Sequence, residues 1–398
     1  MIEKRLRLKK NEERRLKAGH LWIFSNEVDV EATPLKAFEA GELALVEDSR
    51  GQAMGTAYVN PDSLISARLL TRNPRVAISQ KFFQHRFEQA MKLRDRLYGK
   101  PFYRLAHGES DGVPGVVVDR FGDVLAIQTN TAGADKLRPL IVAALESLLE
   151  PRAIVVRNES GLRQLEGLGE ETAVISGTLD GPVVIEENGA RFRIDVMAGQ
   201  KTGWFYDHRE NRAKAAALAQ GLRVLDLFAY SGAWGLSAAV SGAESVLCVD
   251  ASQSALDLAA ENARLNDMAD RVDYQRADVF DFLKQAREAR QHYDLIVLDP
   301  PALIKRKKDM KAGLEAYRRL NQCALQILAP GGILVSASCS YHLQRETLHD
   351  TLRATARQLD RHLVFIGQGG QGGDHPVHPA IPETDYLKAY FCVSGPSL

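Results

Sequence analysis

The strongest constraint on the fold lies between residues 221 and 338, where short apolar runs alternate with helical segments and mostly end in a carboxylate. Buried strands are expected at 223–228, 245–250, 272–278, 293–299 and 332–338. A helix is expected at 252–266, capped by Ser252, with Leu256, Ala259, Ala260 and Ala263 on its apolar side. Regular β-α alternation of this kind specifies an α/β domain, a parallel doubly wound Rossmann-like sheet. Two further strands, at 363–366 and 387–393, follow the fifth. In open α/β sheets the ligand site lies beyond the carboxyl ends of the strands. Asp226, Asp250, Asp278 and Asp299 stand at four successive ends.

The first of these ends reads DLFAYSG (226–232) and is not the GxGxxG turn of a dinucleotide site. A pyrophosphate needs closely spaced backbone amides at a glycine-rich turn. This turn has fewer glycines and keeps Asp226 at its mouth. A carboxylate repels phosphate but welcomes a cationic, phosphate-free ligand such as S-adenosylmethionine. Asp250, 18 residues past Gly232, is spaced to hold ribose hydroxyls, and Asp278 to approach an adenine amino group with Val279 beside the ring. Each acid taken singly can equally be a cap for the helix that follows it. Four in register speak for a site.

Asp299-Pro300-Pro301 gives a rigid exit from a buried strand, because two prolines fix the backbone. Ser338-Cys339-Ser340 ends the fifth strand, so Cys339 is expected to face the same crevice as Asp299. Of the four cysteines, Cys248, Cys323 and Cys392 fall inside elements and read as core. Cys339 stands at a functional strand end, where a thiolate can attack a pyrimidine. Its plainer reading is a small apolar residue closing a strand. Upstream, KTGWFYDHR (201–209) brings aromatics, Asp207 and Arg209 just ahead of the domain. Tyr206, Asp207 and Arg209 are expected to close over the cofactor together with Phe228, Ser231 and Gly232 of the first turn. His375 and His378 have no partner at ligand spacing, so no metal is expected.

Residues 1–75 look like a small β-barrel. Strands are expected at 42–47, 53–59 and 63–70, together with a basic-faced strand in which Leu6 and Leu8 alternate with Arg5 and Arg7. A mixed α+β segment fills 76–187. Its helix at 80–98 is expected to present Phe83, Phe87, Ala90 and Leu97 on one face, and a hairpin turning at Asn188-Gly189 leads into the last domain, 188–398. The widely spaced cysteines, and the lack of any apolar run near the roughly 20 residues of a membrane helix, suggest a reducing cytoplasm and no membrane. Lys plus Arg and Asp plus Glu balance at 51 each, which speaks mildly against nucleic acid. Locally, though, residues 1–17 carry eight Lys/Arg against three Glu, and 305–311 carry five against one Asp. Such runs are often only solvated faces.

Taken together, these segments resemble the bacterial ribosomal RNA large subunit methyltransferase I family over nearly the whole chain. The resemblance runs through HLWIFS (20–25), GESDGVPG (108–115), DRFG (119–122), KTGWFYDHR, DLFAYSG, DPP, SCS and DHPV (374–377). It departs from the family's usual pattern at Leu21 (Pro), His208 (Gln) and Ala302 (Lys). The resemblance implies a PUA-like RNA-binding barrel ahead of a class I S-adenosylmethionine-dependent methyltransferase domain that makes 5-methylcytosine in 23S rRNA. It implies Cys339 as nucleophile toward cytosine C6 and Asp299 as the group that holds the base. The second cysteine that some RNA cytosine-C5 enzymes carry after the first proline is here Pro301, so the acceptor of the C5 proton stays open between water and Asp299. Pro300, Pro301, Lys305, Arg306, Arg5 and Arg7 are then expected along the RNA path, with 23S rRNA or a large-subunit precursor as partner and a homodimer open to the chain. Two other readings stand beside it: a guanine-nitrogen rRNA methyltransferase of the same fold, which needs no cysteine, and a non-catalytic RNA-binding assembly factor.

Overall fold

A computed structural model describes residues 4–396. The described chain divides into two compact units. One comprises residues up to Val183 with Ile194–Tyr206 and Gly373–Thr384; the other comprises Val184–Arg193, Asp207–Gly372 and the chain from Asp385 onward.

In the first unit, β1 (Arg5–Arg7), β2 (Trp22–Phe24), β3 (Glu42–Glu47), β4 (Ala53–Val59) and β5 (Ile65–Thr71) form a sheet in the order β1-β3-β4-β5-β2. The open sides meet where Lys9 N donates to Glu27 O (2.9 Å) and Asp29 N to Arg7 O (2.9 Å), which satisfies backbone groups an exposed edge would leave bare. Leu6, Leu8, Ile23, Val46, Ala57 and Leu69 fill the interior. The alternation of Leu6 and Leu8 is thus a core face, as its period of two requires.

A second sheet runs β10-β9-β8-β7-β6, built from β6 (Phe102–His107), β7 (Val116–Phe121), β8 (Val124–Thr129), β9 (Ala153–Asn158) and β10 (Glu171–Gly177). Helices Gln80–Tyr98 and Arg138–Leu149 cover it through Phe83, Phe87, Ile141 and Leu145. Leu97 does not join this face: it is 48% exposed, while the buried side of the helix runs through Phe83, Phe87, Ala90 and Arg94. The GESDGVPG stretch turns on left-handed Gly112 (φ 70°) and Gly115 (φ 72°). It carries Asp111, which accepts a two-pronged ion pair from fully buried Arg94 at 2.6 and 2.7 Å. Asp119 of DRFG takes Arg104 in the same way, at 2.8 Å on both prongs. In DHPV, Asp374 accepts from Arg104 N with a side-chain oxygen and from Arg94 with its carbonyl.

The short hairpin of β11 (Val183–Glu187) and β12 (Ala190–Ile194) turns at Asn188 (φ 52°) and Gly189 (φ 81°), both left-handed as a tight two-residue turn requires. The second unit then builds a seven-stranded sheet from β13 (Arg223–Leu227), β14 (Ser245–Asp250), β15 (Val272–Arg276), β16 (Tyr293–Leu298), β17 (Leu328–Ser338), β18 (Arg361–Gly369) and β19 (Lys388–Pro396). The order is β15-β14-β13-β16-β17-β19-β18. The first five are parallel to their neighbours, and β19 slots in antiparallel between β17 and β18. The strand order reverses between β13 and β16, so the crevice of this sheet opens where Asp226 and Asp299 end their strands. β17 starts at Leu328, ahead of the expected 332, because Ala329-Pro-Gly-Gly is taken into the strand.

Candidate active site

Asp226 is the next-to-last residue of β13 and is fully buried. One carboxylate oxygen accepts from Gly235 N (2.8 Å) in the first turn of helix Ala233–Val240. The other, Oδ1, is buried with no hydrogen-bond partner among the described residues, and the same is true of Ser231 Oγ. Burial, with Asp299 and Asp250 adding like charge, raises the Asp226 carboxyl to about 7. From Asp226 to Gly232 the chain twists through three left-handed residues, Phe228 (φ 63°), Tyr230 (φ 47°) and Gly232 (φ 75°). A side chain at Gly235 would strike Val246 at 2.8 Å and Cys248 at 2.9 Å, so the helix packs hard onto β14.

Asp250 stiffens this turn. Its Oδ2 accepts from Tyr230 N (2.9 Å) and its Oδ1 from Ser252 N (2.9 Å). Asp278 is exposed and caps helix Val279–Glu288, accepting from Phe280 N (2.9 Å) and Asp281 N (3.3 Å); Val279 is buried behind it. The capping reading therefore leaves room for the ligand reading. Each carboxylate spends some lone pairs on backbone N–H groups and keeps others, since an ionised acid has about four acceptor sites. The orphaned Asp226 Oδ1 and Ser231 Oγ, beside a turn with negative charge and no phosphate-binding amide cluster, suit the amino acid end and cationic centre of S-adenosylmethionine. Asp250 stands at the end of the neighbouring strand, where ribose hydroxyls would reach.

Asp299 follows β16 and is held on both sides. Trp234 Nε1 donates to Oδ2 (3.0 Å), and His208 Nε2 lies 3.1 Å from Oδ1. The two rings lean together at 5.2 Å, and Asn211 braces the far nitrogen of His208 at 3.2 Å. Burial opposes ionisation of Asp299, yet the His208 and Trp234 contacts hold its carboxyl below the usual carboxylate range. It is therefore an oriented anion. Pro300 is buried and Pro301 exposed.

The turn after β17 is fixed with similar care. Tyr317, from helix Met310–Ile327, bonds Ser338 Oγ (2.8 Å) and Ser340 Oγ (3.0 Å), clasping the residues on both sides of half-buried Cys339. Ser340 Oγ also accepts from Ile304 N (3.1 Å), tying this turn to the segment that leaves the two prolines. Lys388, opening β19 opposite Ser338, is 5% exposed and donates to Ser340 O and Leu343 O, both at 2.6 Å.

The KTGWFYDHR segment is divided. Tyr206 belongs to the first unit, where its ring stacks on Phe121 at 5.7 Å and its hydroxyl donates to Arg120 O (3.0 Å). Asp207 and Arg209 belong to the second: Tyr386 donates to Asp207 (2.7 Å), and Arg209 reaches Glu187 at 3.4 Å. Each of these three expected cofactor residues thus also makes a bond within its own unit. Lys305 and Arg306 are exposed after the two prolines, and Arg306 pairs with Asp309 at 3.2 Å. Arg5 and Arg7, 61% and 39% exposed, both ion-pair with buried Glu47. That pairing halves the free charge of the expected basic face. Sequence reasoning missed Trp234, Tyr317 and Lys388 altogether, and noted His208 only as a departure. Lys388 alone left a signal, as the one charge heading the apolar run Ala389–Cys392.

Residues 171–379 match a family model of S-adenosylmethionine-dependent methyltransferases, and residues 6–72 match that of a PUA-like domain. Ribosomal RNA large subunit methyltransferase I of Cronobacter sakazakii is 37% identical over 396 residues, 98% of each chain. That of Shewanella frigidimarina is 38% identical, covering 96% of this chain and 98% of its own. Among solved structures, a chain from Streptococcus mutans described as a SAM-dependent methyltransferase superposes with TM-score 0.81 at 21% identity, over 99% of this chain and 100% of its own. SMU.776, a methyltransferase complexed with SAH, gives 0.82 at 21% identity and the same coverage; at that identity the likeness is one of fold. The pocket acids, the order of the sheet, the barrel and the full-length relatives agree, and the chain belongs to the ribosomal RNA large subunit methyltransferase I family, a family of S-adenosylmethionine-dependent methyltransferases.

Proposed function

We propose that this protein methylates C5 of a cytosine in 23S rRNA or its large-subunit precursor, with Cys339 as nucleophile and Asp299 as the residue that holds the base. The observation that carries the reading is the pairing of two immobilised groups: a cysteine clasped between two serines, and an ionised carboxylate clasped between Trp234 and His208. A nitrogen methyltransferase has no use for the first.

S-adenosylmethionine would supply an electrophilic methyl on a cationic sulfonium. Asp226, Ser231 and Gly232 would hold its amino acid end, Asp250 the ribose and Asp278 with Val279 the adenine; Phe228 would shape the turn. Cys339 Sγ attacks cytosine C6, forming the S–C6 bond and moving the C5–C6 π pair toward C5, which becomes the carbon nucleophile. Asp299 accepts an N–H from the exocyclic N4 and keeps C5 aimed while charge redistributes over the ring. C5 would take the methyl as the S–CH3 bond breaks and the sulfonium leaves as a neutral thioether; the C5 proton then passes to water or Asp299, which re-forms the C5–C6 double bond and expels the thiolate. Neither C5 nor C6 is accessible in a stacked pair, so the base must be extruded. Pro300 and Pro301 would form a stiff rim against it, and Lys305, Arg306, Arg5 and Arg7 would meet phosphates.

Replacing Cys339 with Ala tests this. Methyl transfer to rRNA should fall about a thousandfold or more, while S-adenosylmethionine still binds. Undiminished 5-methylcytosine, or a methylated guanine in its place by nucleoside mass spectrometry, would sink the reading.

A further inference from the structure

Lys388 is a cation in a place where cations are costly. It is 5% exposed and heads a strand whose next four residues, Ala389, Tyr390, Phe391 and Cys392, are all buried. Its two 2.6 Å hydrogen bonds run to Ser340 O and Leu343 O, in the turn that begins at Cys339. Carbonyls satisfy N–H groups but carry no countercharge, and an ammonium buried without one is normally strongly destabilising. Burial works against its charge; of the neighbouring side chains that can carry negative charge, Cys339 favours the ammonium most and Asp385 next, and Arg345 opposes it. Tyr317, from the helix on the other side of the turn, is neutral: burial raises its phenol, and the nearby Cys339 charge raises it further. The registry fixes the rest, since Lys388 lies directly across the β17–β19 ladder from Ser338, the residue before Cys339.

We propose that Lys388 is the positioning residue that holds Cys339 as a thiolate, supplying the countercharge for the nucleophile while its N–H groups fix the turn that carries it. This rests on Cys339 being the nucleophile of the proposed reaction. On this reading the thiol needs no separate base to activate it. The ammonium titrates at about 8, since burial opposes its charge. Thiolate stabilisation is therefore complete at neutral pH and fades above 8.

Peptide-resolved alkylation of Cys339 by iodoacetamide in the full-length protein, followed across pH, tests the coupling without RNA or cofactor. In Lys388→Gln, which keeps donors for the two carbonyls but removes the charge, the alkylation midpoint should rise by about one pH unit, roughly a tenfold slower reaction at pH 7. Lys388→Arg should stay close to the parent. A role confined to bracing the turn would alter the rate at every pH and leave the midpoint in place, and an unmoved midpoint in folded Lys388→Gln overturns the proposal. If that variant does not fold, the reciprocal measurement decides. The Lys388 amine, followed by NMR of labelled lysine, must titrate lower in Cys339→Ser than in the parent, and an unchanged titration overturns the coupling equally. Because neither readout needs turnover, the coupling can fail while Cys339 remains the nucleophile. Full activity of Cys339→Ala would remove the nucleophile without touching the measured coupling.

Discussion

Buried acids are treated differently in two parts of this molecule. In the first unit Asp111 lies against Arg94, Asp119 against Arg104, and Glu166 against Arg68 at 2.9 Å. The second unit can do the same: Glu187, fully buried, takes Arg212 at 2.6 Å. At the strand ends it does not. Asp226 is as buried as Asp119, yet one oxygen has no partner, and among the described residues no guanidinium ion-pairs with it directly as Arg104 does with Asp119; Arg212 acts on it only weakly. Where the chain needs a frame it neutralises its acids. At the proposed receptor for a cation it leaves one short of a partner, at a cost in stability.

The largest effect should come from breaking a frame pair. Asp111→Ala leaves Arg94 buried without its countercharge and should cost about 3–5 kcal/mol in chemical denaturation, with no change in the affinity of the remaining folded protein for S-adenosylmethionine. A loss below 1 kcal/mol would erase the distinction between the regions.

Asp226→Asn should act in the opposite sense. The carboxyl is raised from its ordinary value to about 7, so the native state keeps a proton that the unfolded chain has already released. Its contribution to stability is intact below about pH 4 and is lost as the pH rises through 7. The amide still accepts from Gly235 N and needs no ionisation. The variant should therefore be more stable than the parent at pH 8, by about 2–4 kcal/mol, and equal to it near pH 4. It should also bind S-adenosylmethionine about tenfold more weakly. Destabilisation at pH 8 would show that Asp226 belongs to the frame after all.

The smallest effect concerns exposed charge. Lys305→Ala should weaken rRNA binding a few-fold and lower the salt slope by about one. Arg306→Ala should do less, because Asp309 already shares its charge. Arg5 and Arg7 fall between frame and surface: removing both strips Glu47 of its partners, and a loss of stability should accompany any loss of binding.

The layout of the sheet was legible because its code is local. A period of two, a turn and a cap each occupy neighbouring residues, and 245–250 was placed to the residue as β14. Errors arose where tertiary packing overruled local pattern, as at Leu97 and at the early start of β17. The strand-end acids were legible for the same reason, since each closes its own apolar run. What they bond to was not. Trp234 meets Asp299 across 65 residues and Lys388 meets Ser340 across 48. No spacing rule connects such pairs, because the sheet order that joins them is decided by the whole domain. The bonds of KTGWFYDHR were hidden for a related reason, since Tyr386 meets Asp207 across 179 residues.

The bond from Ile304 N to Ser340 Oγ has one more consequence. It ties the segment that leaves the two prolines to the turn that carries the proposed nucleophile, so moving either wall of the crevice alone costs this bond. A crevice braced in this way resists moulding itself to the base that the proposed reaction needs. The deformation needed to bring a base into reach falls on the RNA, and turnover should track how readily the target nucleotide leaves its stack. Such an enzyme reads the looseness of its substrate as much as its sequence, and a rigid helix carrying the same letters would be passed over.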